Sequence, residues 1–264
     1  MTDNPSNSAQ PPPTTGQKTP ISVPSRLDGE VRLDANRILQ TAEQLSRRIS
    51  ERFPAAGLNE VCQQLLRITR KTQLRAAEIA RPLLAIRFLS ALLIVGVFGA
   101  FFGLLKDQQL EGKLEPKDLI QVLDAGFNIL VLTGAILLFL ITLERRVKRR
   151  RALKAIHELR SLAHIIDMHQ LTKDPERNGI GGKNTQSSPK RTMSLFELDR
   201  YLDYCSEMLS LAGKIAVLYV QDFEDGEAVA AVNDLEDLTS GLSRKIWQKI
   251  MIVHGATERE RNRT

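Results

Sequence analysis

FLSALLIVGVFGAFFGLL, Phe88–Leu105, and AGFNILVLTGAILLFLITL, Ala125–Leu143, are the two stretches on which the fold turns, and neither holds a charged residue. At 1.5 Å per residue each extends over roughly 27–29 Å as a helix, which matches a hydrocarbon core of roughly 30 Å. One buried helix of a soluble protein can be as apolar. Two in one chain, each bounded by charge, predict a transmembrane hairpin with spans at 83–105 and 125–144 joined by a short extracytoplasmic loop at 106–124.

The flanks orient it. Arg67, Arg70, Lys71, Arg75, Arg81 and Arg87 precede the first stretch or stand at its start, and Arg145, Arg146, Lys148, Arg149, Arg150 and Arg151 follow the second. The connecting segment carries Lys106, Lys113 and Lys117 against Asp107, Glu111, Glu115, Asp118 and Asp124. By the positive-inside rule both chain ends are expected in the cytoplasm, with a bacterial inner or plasma membrane as the expected location. Arg81, Arg87, Arg145, Arg146, Lys148, Arg149, Arg150 and Arg151 are the expected topogenic girdle, able also to hold anionic lipid headgroups.

The composition agrees. With 42% hydrophobic and 26% charged residues the chain averages out as nearly soluble, yet its +6 net charge is concentrated beside the apolar stretches. That placement fits a membrane surface better than nucleic acid, since no aromatic residues are interleaved for base stacking. Cys62 and Cys205 lie outside the spans on the expected reducing side, without a zinc-like spacing, and read as small buried apolar residues. Residues 1–25, with Pro5, Pro11, Pro12, Pro13, Pro20 and Pro24, lack the basic and apolar regions of a signal peptide and are expected to be a disordered tail.

Outside the apolar stretches the periodicity is helical. Residues 26–82 carry Ile38, Ala42, Leu45 and Ile49, then Val61, Leu65, Ile68, Thr72 and Ile79, broken by Phe53-Pro54 and by Pro82. A basic stalk helix is expected over 145–173, with an apolar stripe of Leu153, Ile156, Leu159, Leu162, Ala163 and Ile166. A flexible linker is expected at 174–193, a helical hairpin at 194–254 and a charged tail at 255–264. Ser194 and Glu197 have capping-box spacing. Leu195, Leu198, Leu202, Cys205, Leu209, Ala212, Ala216 and Tyr219 repeat as a heptad, and Asp225-Gly226 breaks it before the last helix. The fold class is therefore all-α: a two-helix transmembrane hairpin with long cytoplasmic helices forming a bundle or coiled-coil-like module.

Candidate sites are few. Gly99 and Gly103 form a GxxxG with Gly96 nearby. Such glycines let helices approach, either in a dimer or, as favoured here, against Gly134 and Ala135 of the same chain. His157, Arg160, His164 and Asp167 form a polar stripe. His157 and His164 stand about 10.5 Å apart along a helix, too far to share one ion, so the stripe is expected to fix the register of the bundle. The loop Gly179–Thr185 lacks the spacing of a phosphate loop. No catalytic residue, metal or cofactor is expected. The function read from these residues is a non-enzymatic membrane-anchored scaffold, homo-oligomeric through its cytoplasmic helices, with a possible cytoplasmic protein partner and no nucleic acid. The alternative is an oligomeric channel or membrane-permeabilising effector lined by Ser90, Asn128, Thr133 and Thr142.

Overall fold

Six helices follow one another in the computed structural model, which describes residues 32–110, 116–173, 186 and 193–262. They are α1 Ala35–Arg52, α2 Gly57–Ala80, α3 Leu84–Leu110, α4 Pro116–Leu171, α5 Leu195–Val217 and α6 Gly226–Arg261, and no strand occurs among the described residues. All of them belong to one compact unit, Leu33–Thr264.

Local chemistry explains the boundaries. The Asp34 carboxylate accepts the Asn36 N–H at 2.8 Å and opens α1. The Phe53-Pro54 step closes it, and the Phe53 ring lies edge-on to Tyr201 and Tyr204, with ring centroids 5.6 and 6.2 Å away. α2 stops at Ala80 because Pro82 cannot continue the helix. The Ser194 hydroxyl accepts the Glu197 N–H while the Glu197 carboxylate accepts the Ser194 N–H, so α5 opens on a complete capping box.

α5 is the centre of the bundle. It packs on α1, α2, α4 and α6, and its whole heptad from Leu195 to Ala216 is buried, as is Tyr219 in the turn beyond it. Ile38, Ala42, Leu45 and Ile49 from α1, Leu65 and Ile68 from α2, and Leu159, Leu162 and Ile166 from α4 close the same core. Two polar pairs cross between helices: Thr72 Oγ1 and Tyr219 Oη, both buried, lie 2.9 Å apart, and half-exposed Arg75 donates to Glu158 at 2.7 Å between α2 and α4. One glycine lies close to a neighbouring helix. A Cβ at Gly57 would stand 2.6 Å from His169 Cε1, so a side chain at the first turn of α2 would have to displace the His169 ring at the end of α4.

α4 and α6 are tied at two levels. Near the start of α6, Arg149 Nε donates to Asp225 at 2.9 Å and Arg149 also pairs with Glu227. Further along, Lys249 Nζ donates to the Gln170 and Lys173 carbonyls at 2.9 and 3.3 Å. The two helices therefore run parallel.

The apolar parts of α3 and α4 touch each other but stand outside this core. The most apolar 18-residue windows, within Gly57–Gly103 and Leu123–Leu171, have mean hydropathy 2.3, and 0% and 6% of their residues are buried. Both helices are long and apolar enough to cross a membrane.

Two expected boundaries move, and two expected segments form one helix. The loop expected at 106–124 is largely helical, since α3 continues to Leu110 and α4 already begins at Pro116. Proline suits that first helical position because its missing N–H would have no partner there. The second apolar stretch and the basic stalk, which no breaker separates in the sequence, are one 56-residue helix. The tail expected at 255–264 is helical to Arg261, with the Arg259 side chain donating to the Gly255 carbonyl at 3.0 Å. The expected tail at 1–25, most of the linker at 174–193 and the loop Gly179–Thr185 lie outside the described residues.

Candidate functional site

Where the apolar helices join the bundle, one carboxylate holds the joint. Glu144 Oε1, on α4, accepts the Leu83 N–H at 3.2 Å and the Lys148 ammonium at 3.1 Å. It thereby satisfies an N–H at the entry to α3 that has no helical partner. One turn further the Asp225 carboxylate, 6% exposed, serves two helices. It accepts the Ala228 N–H at 3.2 Å, capping α6, and it takes the Arg149 guanidinium. Burial alone would raise this carboxyl, but the hydrogen bonds from Arg149 and Ala228 outweigh it and hold the group below its ordinary value of 3.8. The Arg149 guanidinium is correspondingly shifted up, chiefly by the Asp225 hydrogen bond.

The eight girdle cations thus divide by task. Lys148 is engaged by Glu144, and Arg149 by Asp225 and Glu227. Arg81, Arg87, Arg145, Arg146, Arg150 and Arg151 are exposed and form no salt bridge among the described residues. Chemically these are exposed guanidinium groups flanking the apolar stretches, a donor type suited to phosphate.

Between α3 and α4 lies a groove of about 860 Å³, lined by Phe98, Phe101, Phe127, Leu130, Thr133 and Gly134 among others. Three polar side chains of the two helices bond within their own helix. Ser90 donates to the Ile86 carbonyl at 2.9 Å and Thr142 to the Leu138 carbonyl at 2.7 Å. Asn128 Nδ2 donates to Asp124 at 3.4 Å.

Two sequence expectations need correction. A Cβ at Gly96, Gly99, Gly103 or Gly134 would meet nothing within 4 Å, so these glycines do not mediate close packing of α3 on α4. The helices meet instead through larger side chains, as at Phe101 beside Gly126. The polar stripe does not set the register of the bundle either. His157, Arg160 and His164 are exposed on the side of α4 away from the core, and half-buried Asp167 accepts Gln170 Nε2 at 2.6 Å. The core face of α4 belongs to Ala152, Ile156, Leu159, Ala163 and Ile166, and helical spacing sends the histidines outward. Among the described residues no three His, Cys, Asp or Glu side chains converge on a point. Cys62 and Cys205 are free and buried, and burial pushes the Cys62 thiol up to about 11 and Cys205 upward as well.

Sequence reasoning passed over Glu144 and Asp225. Glu144 sits among cations and was absorbed into the flank. Asp225 carried only a turn signal, although an acidic residue just before a helix start is the usual sign of a cap. Compared with known proteins, the chain matches no family model, no curated protein and no solved structure.

Proposed function

We propose that this chain is a membrane-anchored helical scaffold without catalytic activity, holding a packed bundle at the cytoplasmic face of a bilayer. One observation carries the reading: two helices of mean hydropathy 2.3 project from a closed core with almost none of that surface buried. Water does not tolerate so large a contiguous apolar surface, and lipid covers it without further protein. The exposed arginines flanking it fit anionic headgroups, each contributing about 1 kcal/mol near such a surface.

The groove favours an anchor over a pore. Its lining has Thr133 as the one hydroxyl, and Ser90 and Thr142 spend theirs on their own helices.

Site-directed labelling tests the reading. A cysteine in place of Ile120 should react with an impermeant maleimide only from outside intact cells, and one in place of Trp247 only after the membrane is opened. Labelling of both from the same side overturns the topology. Single-channel current from the purified protein in planar bilayers overturns the choice against a pore.

A further inference from the structure

The ties between α4 and α6 fix more than the bundle; they set a common height scale. Arg149 meets Glu227, and Gln170 meets Lys249. The interval is 21 residues on α4 and 22 on α6, about 32 and 33 Å of helix. A residue on α6 therefore lies level with the residue numbered about 78 lower on α4.

On this scale the two exposed faces are complementary. α4 presents Lys154, His157 and Arg160, all exposed and without a salt bridge among the described residues. α6 presents Asp234, Glu236 and Asp237, equally exposed and unbridged, level with about 156 to 159 on α4. The basic and acidic groups thus occupy the same band, yet among the described residues no ion pair joins them. Farther from the girdle, Met168 and Leu171 of α4 are 67% and 61% exposed, and Trp247 and Met251 of α6, 58% and 52% exposed, stand level with them. The cations of α6 at intermediate height, Arg244 and Lys245, are level with Ile165–Asp167, where α4 has no cation.

We propose that the exposed face of α4 is the docking surface for α6 of a second copy of the same chain. The inference rests on the membrane-anchored reading. Copies held at one depth in a bilayer are related by rotation about an axis along their parallel helices, so heights are preserved. Lys154 and Arg160 then meet Asp234 and Asp237, and Met168 and Leu171 meet Trp247 and Met251. The apolar band supplies burial and the charged band fixes the orientation.

The test uses the full-length protein in detergent micelles, with mass measured by light scattering across a dilution series. K154E/R160E reverses one face and D234K/D237K the other. Each should weaken self-association by on the order of tenfold or more, because like charges then oppose. Mixing the two variants, or placing all four substitutions in one chain, should restore the wild-type mass. That rescue separates loss of the seam from loss of folding. Cysteines replacing Lys154 in one tagged copy and Asp234 in another should also form an intermolecular disulfide. Face reversals that leave the mass unchanged, or paired variants that fail to recover it while keeping wild-type helicity, overturn the seam. Alkaline carbonate extraction separates the two levels of failure. A wild-type chain that resists extraction but is monomeric removes the seam alone. One that washes out removes the common plane, and the anchor with it.

Discussion

Two arginines placed at the middle of α3 should expel it from the membrane. Val95 and Phe98 are 68% and 69% exposed, and among the described helices α3 touches only α4. In water, exchanging such surface residues for arginine shifts stability by no more than about 0.5 kcal/mol each. In a bilayer the arithmetic differs. Twelve of the eighteen residues in Phe88–Leu105 are Leu, Ile, Val or Phe, and at about −0.3 to −0.6 kcal/mol each they favour insertion by roughly 4 to 7 kcal/mol. Each arginine near the centre costs about 2.5 to 3.5 kcal/mol and removes an apolar contribution besides, so V95R/F98R together cost about 6 to 8 kcal/mol. One substitution leaves a margin; two erase it. The assay is the fraction of newly made protein that resists alkaline carbonate extraction, with V95R, F98R and the double variant beside wild type. The single variants should stay integrated to a large extent and the double should fall to background for the first span, scored by labelling of a cysteine at Ile120. If the double variant integrates as well as wild type, the exposed face of α3 does not lie in lipid, and the anchor argument is wrong.

Leu209, fully buried on α5, should cost about 3 kcal/mol when changed to alanine, whereas Leu92→Ala, at a 58% exposed position on α3, should leave the thermal midpoint of the bundle unchanged. Asp225 sets an acid limit. Because its folded carboxyl lies below the ordinary 3.8, its contribution is whole above that pH and is lost as pH falls through the lower folded value. Amide exchange at 226–229 should therefore quicken below about pH 4, and Asp225→Asn should abolish the pH dependence while leaving the start of α6 loose throughout. Cys62, 1% exposed with its thiol raised to about 11, should resist maleimide at pH 8 in the native protein and react once it is denatured; native labelling would show that α1 and α2 separate.

Helix identity was legible in the sequence because each helix announces itself by a local signal. The 3-4 spacing of Leu195 to Tyr219 marks one buried face, Ser194 with Glu197 marks a start, and Pro82 marks a stop. Charge-free runs made α3 and α4 equally plain. What a linear reading missed depends on which helices become neighbours. His157 and His164 looked like a register device because polar side chains at helical spacing invite partners, but α5 takes the centre and the core face of α4 is already apolar. Gly96, Gly99 and Gly103 permit close approach without requiring it, and the larger side chains of α3 meet α4 first. Arg149 read as one more topogenic cation. Only the parallel course of α4 and α6, set by residues 76 to 79 positions apart, brings it to Asp225. The short loop was misjudged for a simpler reason: polar residues at 106–110 and 116–124 end the apolar pattern, yet contain no helix breaker beyond Pro116, which starts a helix instead.

α4 runs for 56 residues without interruption, about 84 Å, and this makes it a lever. Roughly 40 Å of it lies beyond Glu144, bound along its length to α2, α5 and α6. In a bilayer, apolar helices tilt as hydrocarbon thickness changes, commonly by about 20°. A change in tilt of about 10° at the anchored end would swing the far end of α4 sideways by about 7 Å. With no joint between the apolar half and the bundle, the whole core must follow, so under the proposed anchoring the far surface is mechanically geared to bilayer thickness.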